Sequence, residues 1–183
     1  TPPHAINHHA LISAFKALSC STVVGLQQRS VYVTHSYSVG SLKLEIPLGS
    51  VVVPDDYAYL GAPPHFSEDQ SAHFAPVALL TLFIPVLDPT LRETIIETLR
   101  ANDFDPVTKG SYFQTIGPRF ETKAEIRLYK DYFDVVGMTG SSEATLAQEA
   151  GIQFAMVCVV DNMANGLGDV LSYEVVHAYI ADA

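Results

Sequence analysis

The sequence predicts an α/β fold with a sheet buried on both faces. Two observations point there. Continuous apolar runs alternate with segments of helical period through the second half of the chain, and such runs suit strands covered by helices on both sides. Of 183 residues, 48% are hydrophobic and only 16% charged, enough for a sizeable core and too apolar for a disordered chain. The length fits one domain over 1–183.

The elements follow in chain order. Residues 5–19 place Ile6, Ala10, Leu11, Ala14, Phe15 and Leu18 on an amphipathic helix. SVYVTHSYSVGSL (30–42) is a β-rich run ending in small residues around Gly40. Leu48-Gly49 forms a turn before a Val51-Val52-Val53 strand that Pro54 stops. Residues 58–78 carry prolines, aromatics and histidines without period and read as a long ordered loop. PTLRETIIETLRAN (89–102) is a helix with Pro89 near its start and Leu91, Ile95, Ile96 and Leu99 on one face. GSYFQTI (110–116) is a strand, and a Gly117-Pro118 turn then runs into a helix. DVVGMTG (134–140) is a strand and SSEATLAQEAG (141–151) a helix that Gly151 ends. IQFAMVCVVDN (152–162) is one apolar strand, and SYEVVHAYIADA (172–183) a last helix.

Composition excludes some functions. Ten Lys and Arg against twenty Asp and Glu give a net charge of −10, unsuited to a general nucleic-acid binder but compatible with one small anionic ligand. No apolar run reaches the roughly 18–20 residues that cross a bilayer, and the first residues lack the basic flank and apolar block of a signal peptide. Two cysteines, Cys20 and Cys158, make no disulfide framework, and a reducing, cytoplasmic location is expected. The seven histidines form no zinc pattern, so no metal is expected. Cys158, inside VCVV, reads as an inert core thiol.

In such a fold ligands sit at strand C-termini. Residues able to do chemistry fall at four strand ends: Ser36-Tyr37-Ser38, Arg119-Phe120-Glu121, Met138-Thr139 and Asp161-Asn162. Each also has a plain structural reading. The serines serve turn polarity; Phe120 and Met138 fill core; Glu121 and Glu125, four apart, make a solvated helix face; Asp161 and Asn162 form a turn or cap. Residue type and spacing leave both open.

The string GPRFETKAEIRLYKDYFDVVGMTGSSEATLAQEAGIQFAMVCVVDN (117–162) resembles the trimeric purine nucleoside phosphorylase and methylthioadenosine phosphorylase family. GPRFET, VVGMT, SEATLAQEAG and an apolar strand ending in Asp-Asn occur in family order, and weaker likeness extends over nearly the whole chain. The resemblance implies a twisted mixed β-sheet flanked by helices and assembly as a homotrimer. It implies a pentosyltransferase reaction in which phosphate displaces the purine from a nucleoside, with no cofactor beyond phosphate as co-substrate. By the same likeness Asn162 and Glu121 hold the purine, Phe120 packs on it, Met138 lies under the ribose, and Thr139 touches ribose or phosphate. Ser36, Tyr37 and Ser38 line the phosphate and sugar, Asp161 joins the base pocket, and His73 aligns with a residue lent across the trimer interface. The Glu121/Asn162 pair resembles the 6-oxopurine type, where the methylthioadenosine type carries Ser and Asp.

The chain also departs from the family pattern. The family's glycine-rich phosphate loop and Arg-His pair would precede Thr1, so an N-terminally truncated sheet is expected. Ile116 stands where a polar residue is usual, Gly140-Ser141-Ser142 replaces Thr-x-Pro, and 21–30 reads as an insertion. Three functions remain: phosphorolysis of inosine- or guanosine-like nucleosides; hydrolysis by a nucleosidase, for which Asp161 is the candidate; and a purine-binding or storage relative without turnover.

Overall fold

The computed structural model describes residues 7–17, 22–25, 37–61 and 86–168; at 22–25, 37 and 38 it describes the backbone alone. Helix α1 (His8–Ala17) begins where the Asn7 side chain accepts from the Ala10 amide at 2.9 Å. It buries Ile12.

Six strands form one mixed sheet: β2 (Tyr37–Ser41), β3 (Val51–Val52), β4 (Asp56–Tyr59), β5 (Ser111–Gln114), β6 (Val135–Gly137) and β8 (Cys158–Met163), in the order β3-β8-β2-β6-β5-β4. β8 and β2 run parallel, β2 meets β6 antiparallel, and β6, β5 and β4 run parallel. β1 (Thr22–Gly25) pairs in parallel with β7 (Gln153–Met156) as a separate two-stranded unit.

Helix α2 (Pro89–Ala101) has Asp88 as N-cap, its Oδ1 accepting from the Leu91 amide at 2.7 Å, and a proline in its first turn. Arg92 ties α2 to the sheet by donating to the carbonyls of Pro54 (2.6 Å), Val53 (3.2 Å) and Thr108 (2.8 Å). Helix α3 (Lys123–Tyr129) carries a capping box, and α4 (Gly140–Glu149) lies between β5 and β7 on one side and α1 on another.

Strand alternation sorts the core onto the two faces of the sheet. Tyr112 and Val135 join Ile12, Leu146, Phe154, Met156 and Val160 under α1 and α4. Phe113 and Val136 face the other way with Ile126 of α3, where the Phe113 ring stacks on Phe133 at 4.5 Å and meets Tyr129 at 4.4 Å. Val53, Ile96 and Val157 form a third cluster beneath α2.

Helix α4 is buried nearly all round, and its small residues Gly140, Ser141, Ala144 and Ala147 let neighbours approach closely. Its polar side chains are engaged rather than wet. Ser141 donates to the Ala58 carbonyl at 3.0 Å, Thr145 lies 3.2 Å from the Tyr57 hydroxyl, and Glu143 faces His8 of α1 at 3.4 Å.

Three sequence expectations change. The run 152–162 is two strands, because pairing passes from β1 to β2 and β3 at Val157. Phe154, Met156, Cys158 and Val160 still alternate into one cluster, so the apolar pattern runs through the break and conceals it. Residues 58 and 59, expected in a loop, belong to β4, paired from Asp56↔Ser111 to Tyr59↔Gln114. Within the supposed insertion at 21–30, Thr22–Gly25 is a strand. The rest of the 58–78 loop from residue 62 and the helix at 172–183 lie outside the described residues.

Asp88 serves two partners, since its Oδ2 also accepts from Gln153 at 3.0 Å. Asp88→Ala should therefore lower unfolding free energy by about 1 kcal/mol in urea titration, with Asp88→Asn retaining most of it.

Candidate functional site

The site grows from one row across three strands. Val39 pairs with Val160 but Gly40 with Asn162, so Asp161 is the extra residue of a bulge in β8. Gly40 in turn pairs with Val136 of β6. A Cβ on Gly40 would stand 3.0 Å from Asn162 Nδ2 and 3.2 Å from Val136 Cγ1. Glycine thus leaves open the space between the amide and the valine on one face of the sheet. Asn162 is buried, and its Nδ2 donates to the Met163 carbonyl at 3.1 Å, which orients the amide.

The next residue of β6, Gly137, connects this row to Glu121. Its carbonyl accepts from the Thr115 amide at 2.8 Å. The Thr115 hydroxyl donates to Glu121 Oε1 at 2.6 Å, much closer than the Gly137 carbonyl at 3.4 Å. Asn165, just beyond β8, donates to the Glu121 carbonyl at 3.0 Å. The turn holding Glu121 is therefore fixed from β6 on one side and from the end of β8 on the other, and its carboxylate is buried.

Within that turn, a cis peptide joins Gly117 to Pro118. Arg119 grips Glu125 with both terminal nitrogens at 2.9 Å and donates to the Phe120 carbonyl at 3.0 Å. Glu125 Oε2 also accepts from the Thr122 amide at 2.7 Å, and Thr122 Oγ1 accepts from the Glu125 amide at 3.2 Å. The Arg119 fork, with these capping bonds, draws the Glu125 carboxyl down to about 2. Glu121 and Glu125 are thus not one solvated face: the first is buried ahead of α3, and the second caps it. Phe120 is half exposed, at 50%, rather than core.

Met138 and Thr139 follow β6 and are half-buried. Behind them, two fully interior side chains of β5 reach the start of α4. The Tyr112 hydroxyl accepts from the amides of Gly140 (3.1 Å) and Thr139 (3.3 Å). Gln114 Oε1 accepts from the Ser142 amide at 2.8 Å, and its Nε2 donates to Ser142 Oγ at 2.7 Å. Burial pushes the Tyr112 phenol well above its usual range. Cys158 is fully buried and its thiol is likewise pushed up, as fits an inert core group.

Other expected residues fall differently. Tyr37 and Ser38 stand at the start of β2, opposite Cys158 and Val159, and not at a strand end. The small residues that end this strand are Gly40 and Ser41. Ser36 and His73 lie outside the described residues. Sequence reasoning missed Thr115, Asn165, Tyr112 and Gln114. Thr115 was signalled by its place at a strand end; the others act through contacts far apart in the chain. Among the described residues, no three His, Cys, Asp or Glu side chains gather to hold a metal, and no helix is long and apolar enough to cross a membrane.

Asp161 is buried, and desolvation lifts its carboxyl to about 6. An acid raised in the folded state keeps its proton there while the unfolded chain has lost it. Stability from this group is therefore greatest at acid pH and falls as pH rises through about 6. Denaturant midpoints measured from pH 4.5 to 7.5 should show this decline, and Asp161→Asn should flatten it; an identical slope in the variant would refute the assignment.

The family model of the phosphorylase superfamily matches residues 30–181. The chain is 40% identical over 167 residues to a protein of Archaeoglobus fulgidus named probable 6-oxopurine nucleoside phosphorylase, covering 91% of this chain and 61% of that protein. It is 35% identical over 169 residues to a protein of Methanocaldococcus jannaschii named probable S-methyl-5'-thioinosine phosphorylase, covering 91% of this chain and 60% of the relative. The chain thus spans about six tenths of the length of these relatives. The solved methylthioadenosine phosphorylase of Schistosoma mansoni with adenine superposes with a TM-score of 0.78 at 21% identity, over 99% of this chain and 66% of that one, and shares its fold.

Proposed function

The chain belongs to the phosphorylase superfamily, and we propose that its protein phosphorolyses 6-oxopurine nucleosides. The observation that carries this reading is the buried Glu121 carboxylate, fixed at one oxygen by Thr115 and joined through Gly137 to the row holding Asn162. With Oε1 engaged, Oε2 is left to accept from the ring N1–H of a 6-oxopurine, which a 6-aminopurine lacks. The two relatives named above support a base of this class, since one is named for 6-oxopurine nucleosides and the other for a thioinosine, whose hypoxanthine is a 6-oxopurine. The second name also specifies a 5' substituent on the sugar.

In this reaction a phosphate oxygen forms a bond to the anomeric carbon as the bond to the purine breaks. The electron pair of that bond leaves with the base. Asn162 stabilises the negative charge growing on the imidazole ring, and Glu121 holds the six-membered ring in place. Phe120 offers a half-exposed ring for the flat face of the base. Met138, just past β6, is assigned to the sugar, and Thr139, which follows it, to the phosphate. The products are free base and pentose 1-phosphate.

Hydrolysis is the second reading, favoured by the buried Asp161 with its carboxyl raised to about 6. Inosine incubated with the full-length protein separates the two. Hypoxanthine should appear only when phosphate is supplied, and equal release without phosphate would establish a nucleosidase. A calorimetric signal for hypoxanthine without turnover under either condition would mark a binding protein.

Glu121→Ala should weaken binding of hypoxanthine by about 10–150-fold, the worth of a charge-assisted hydrogen bond of about 1.5–3 kcal/mol. Unchanged affinity would reduce Glu121 to a structural charge. Asn162→Asp should move preference toward 6-aminopurines, and no gain with adenosine would count against its place at the base.

A further inference from the structure

Thr139 occupies the N-cap of α4, yet its side chain makes no capping hydrogen bond. A threonine there ordinarily accepts from the amide two or three residues on. Here that acceptor comes from across the core. The third helical amide, of Ser142, donates to Gln114 Oε1 at 2.8 Å, and the amides of Gly140 and Thr139 itself donate to the Tyr112 hydroxyl. Gln114 is held in this pose because its Nε2 donates to Ser142 Oγ, and Tyr112 is held by full burial. Thr139 meanwhile has φ −139° and ψ −35°, outside the extended conformation of an N-cap that bonds its own helix.

We propose that Gln114, assisted by Tyr112, is a positioning residue that caps α4 in place of Thr139 and so keeps the Thr139 hydroxyl available to the phosphate. The inference rests on the phosphorolytic reading above. It assigns β5 a role at a ligand its side chains never touch. Two consequences follow. The Gly140 and Ser142 amides are closed to the anion, so the Thr139 hydroxyl is the group that makes the contact. And removal of the Gln114 acceptor leaves the Ser142 amide to recruit the Thr139 hydroxyl, withdrawing it from the site.

The test is a double-mutant cycle on the full-length enzyme with Gln114→Met and Thr139→Val, following KM for phosphate and for inosine separately. Each single variant should raise the phosphate KM by roughly tenfold, the scale of one hydrogen bond to an anion, with the inosine KM nearly unchanged. The double variant should be no worse than Thr139→Val alone, because Gln114 acts through Thr139. Tyr112→Phe, which keeps the ring in the core, gives a second route to the same phosphate-specific loss should Gln114→Met fold poorly. Phosphate-dependent turnover with an unaltered phosphate KM in Gln114→Met, or additive losses in the double variant, would overturn the inference alone. Wild-type turnover indifferent to phosphate would overturn the phosphorolytic reading itself.

Discussion

The structure hangs on a problem of burial: a helix sunk in the core must find acceptors for its first amides. Those groups have no partner within the helix, and leaving them dry and unpaired costs about 1–3 kcal/mol each. The first residues of α4, Gly140 to Ser142, are buried, and β5 supplies Tyr112 and Gln114 from beneath them. Much else is set by that arrangement. Tyr112 must be wholly interior, Gly137 must lack a side chain because the phenol occupies that space, and the strand end at Met138-Thr139 is pinned to the core. Hydrogen bonds thus join β5, the start of α4 and the end of β6.

The amount of this that was legible in sequence follows from how local each signal is. Helix α2 is announced by Pro89 and one apolar face, and α3 by a Gly-Pro turn, because their caps and periods lie within a few residues. The total burial of α4 was not legible. Ser141, Ser142, Glu143 and Thr145 look like an outer face, and their partners Ala58, Gln114, His8 and Tyr57 lie 28 to 135 positions away in the chain. The break at Val157 was hidden for a similar reason: alternation records which face a residue takes and says nothing of which strand lies beside it. At the site, Glu121, Asn162 and Phe120 were recognisable as residue types at strand ends, and Thr115 shared that position, while Asn165, which holds the Glu121 carbonyl from 44 residues away, gave no local signal.

Charge tells a related story. The chain is acidic, yet several of its few cations point at its own backbone. Lys16 donates to the Ala150 carbonyl at the end of α4, Lys43 to the Lys130 carbonyl at the end of α3, and Arg92 to three carbonyls of the sheet. Arg119 binds Glu125. These four act as fasteners for turns and helix ends. Under the phosphorolysis proposed above, none of these four cations is spare for an anion, which gives the orientation of the Thr139 hydroxyl more weight.

The fit between Gly137 and Tyr112 reaches beyond this molecule. A methyl group at position 137 would collide with the phenol oxygen and press within 2.9 Å of the ring carbon Cε2. Neither position can drift alone. A lineage that lost the phenol would open a hole that a larger residue at 137 could fill, and a lineage that enlarged 137 would have to shed the phenol first. Among descendants of a common ancestor, these two sites should therefore change in tandem, leaving a covarying pair as the historical trace of how the buried helix is sealed.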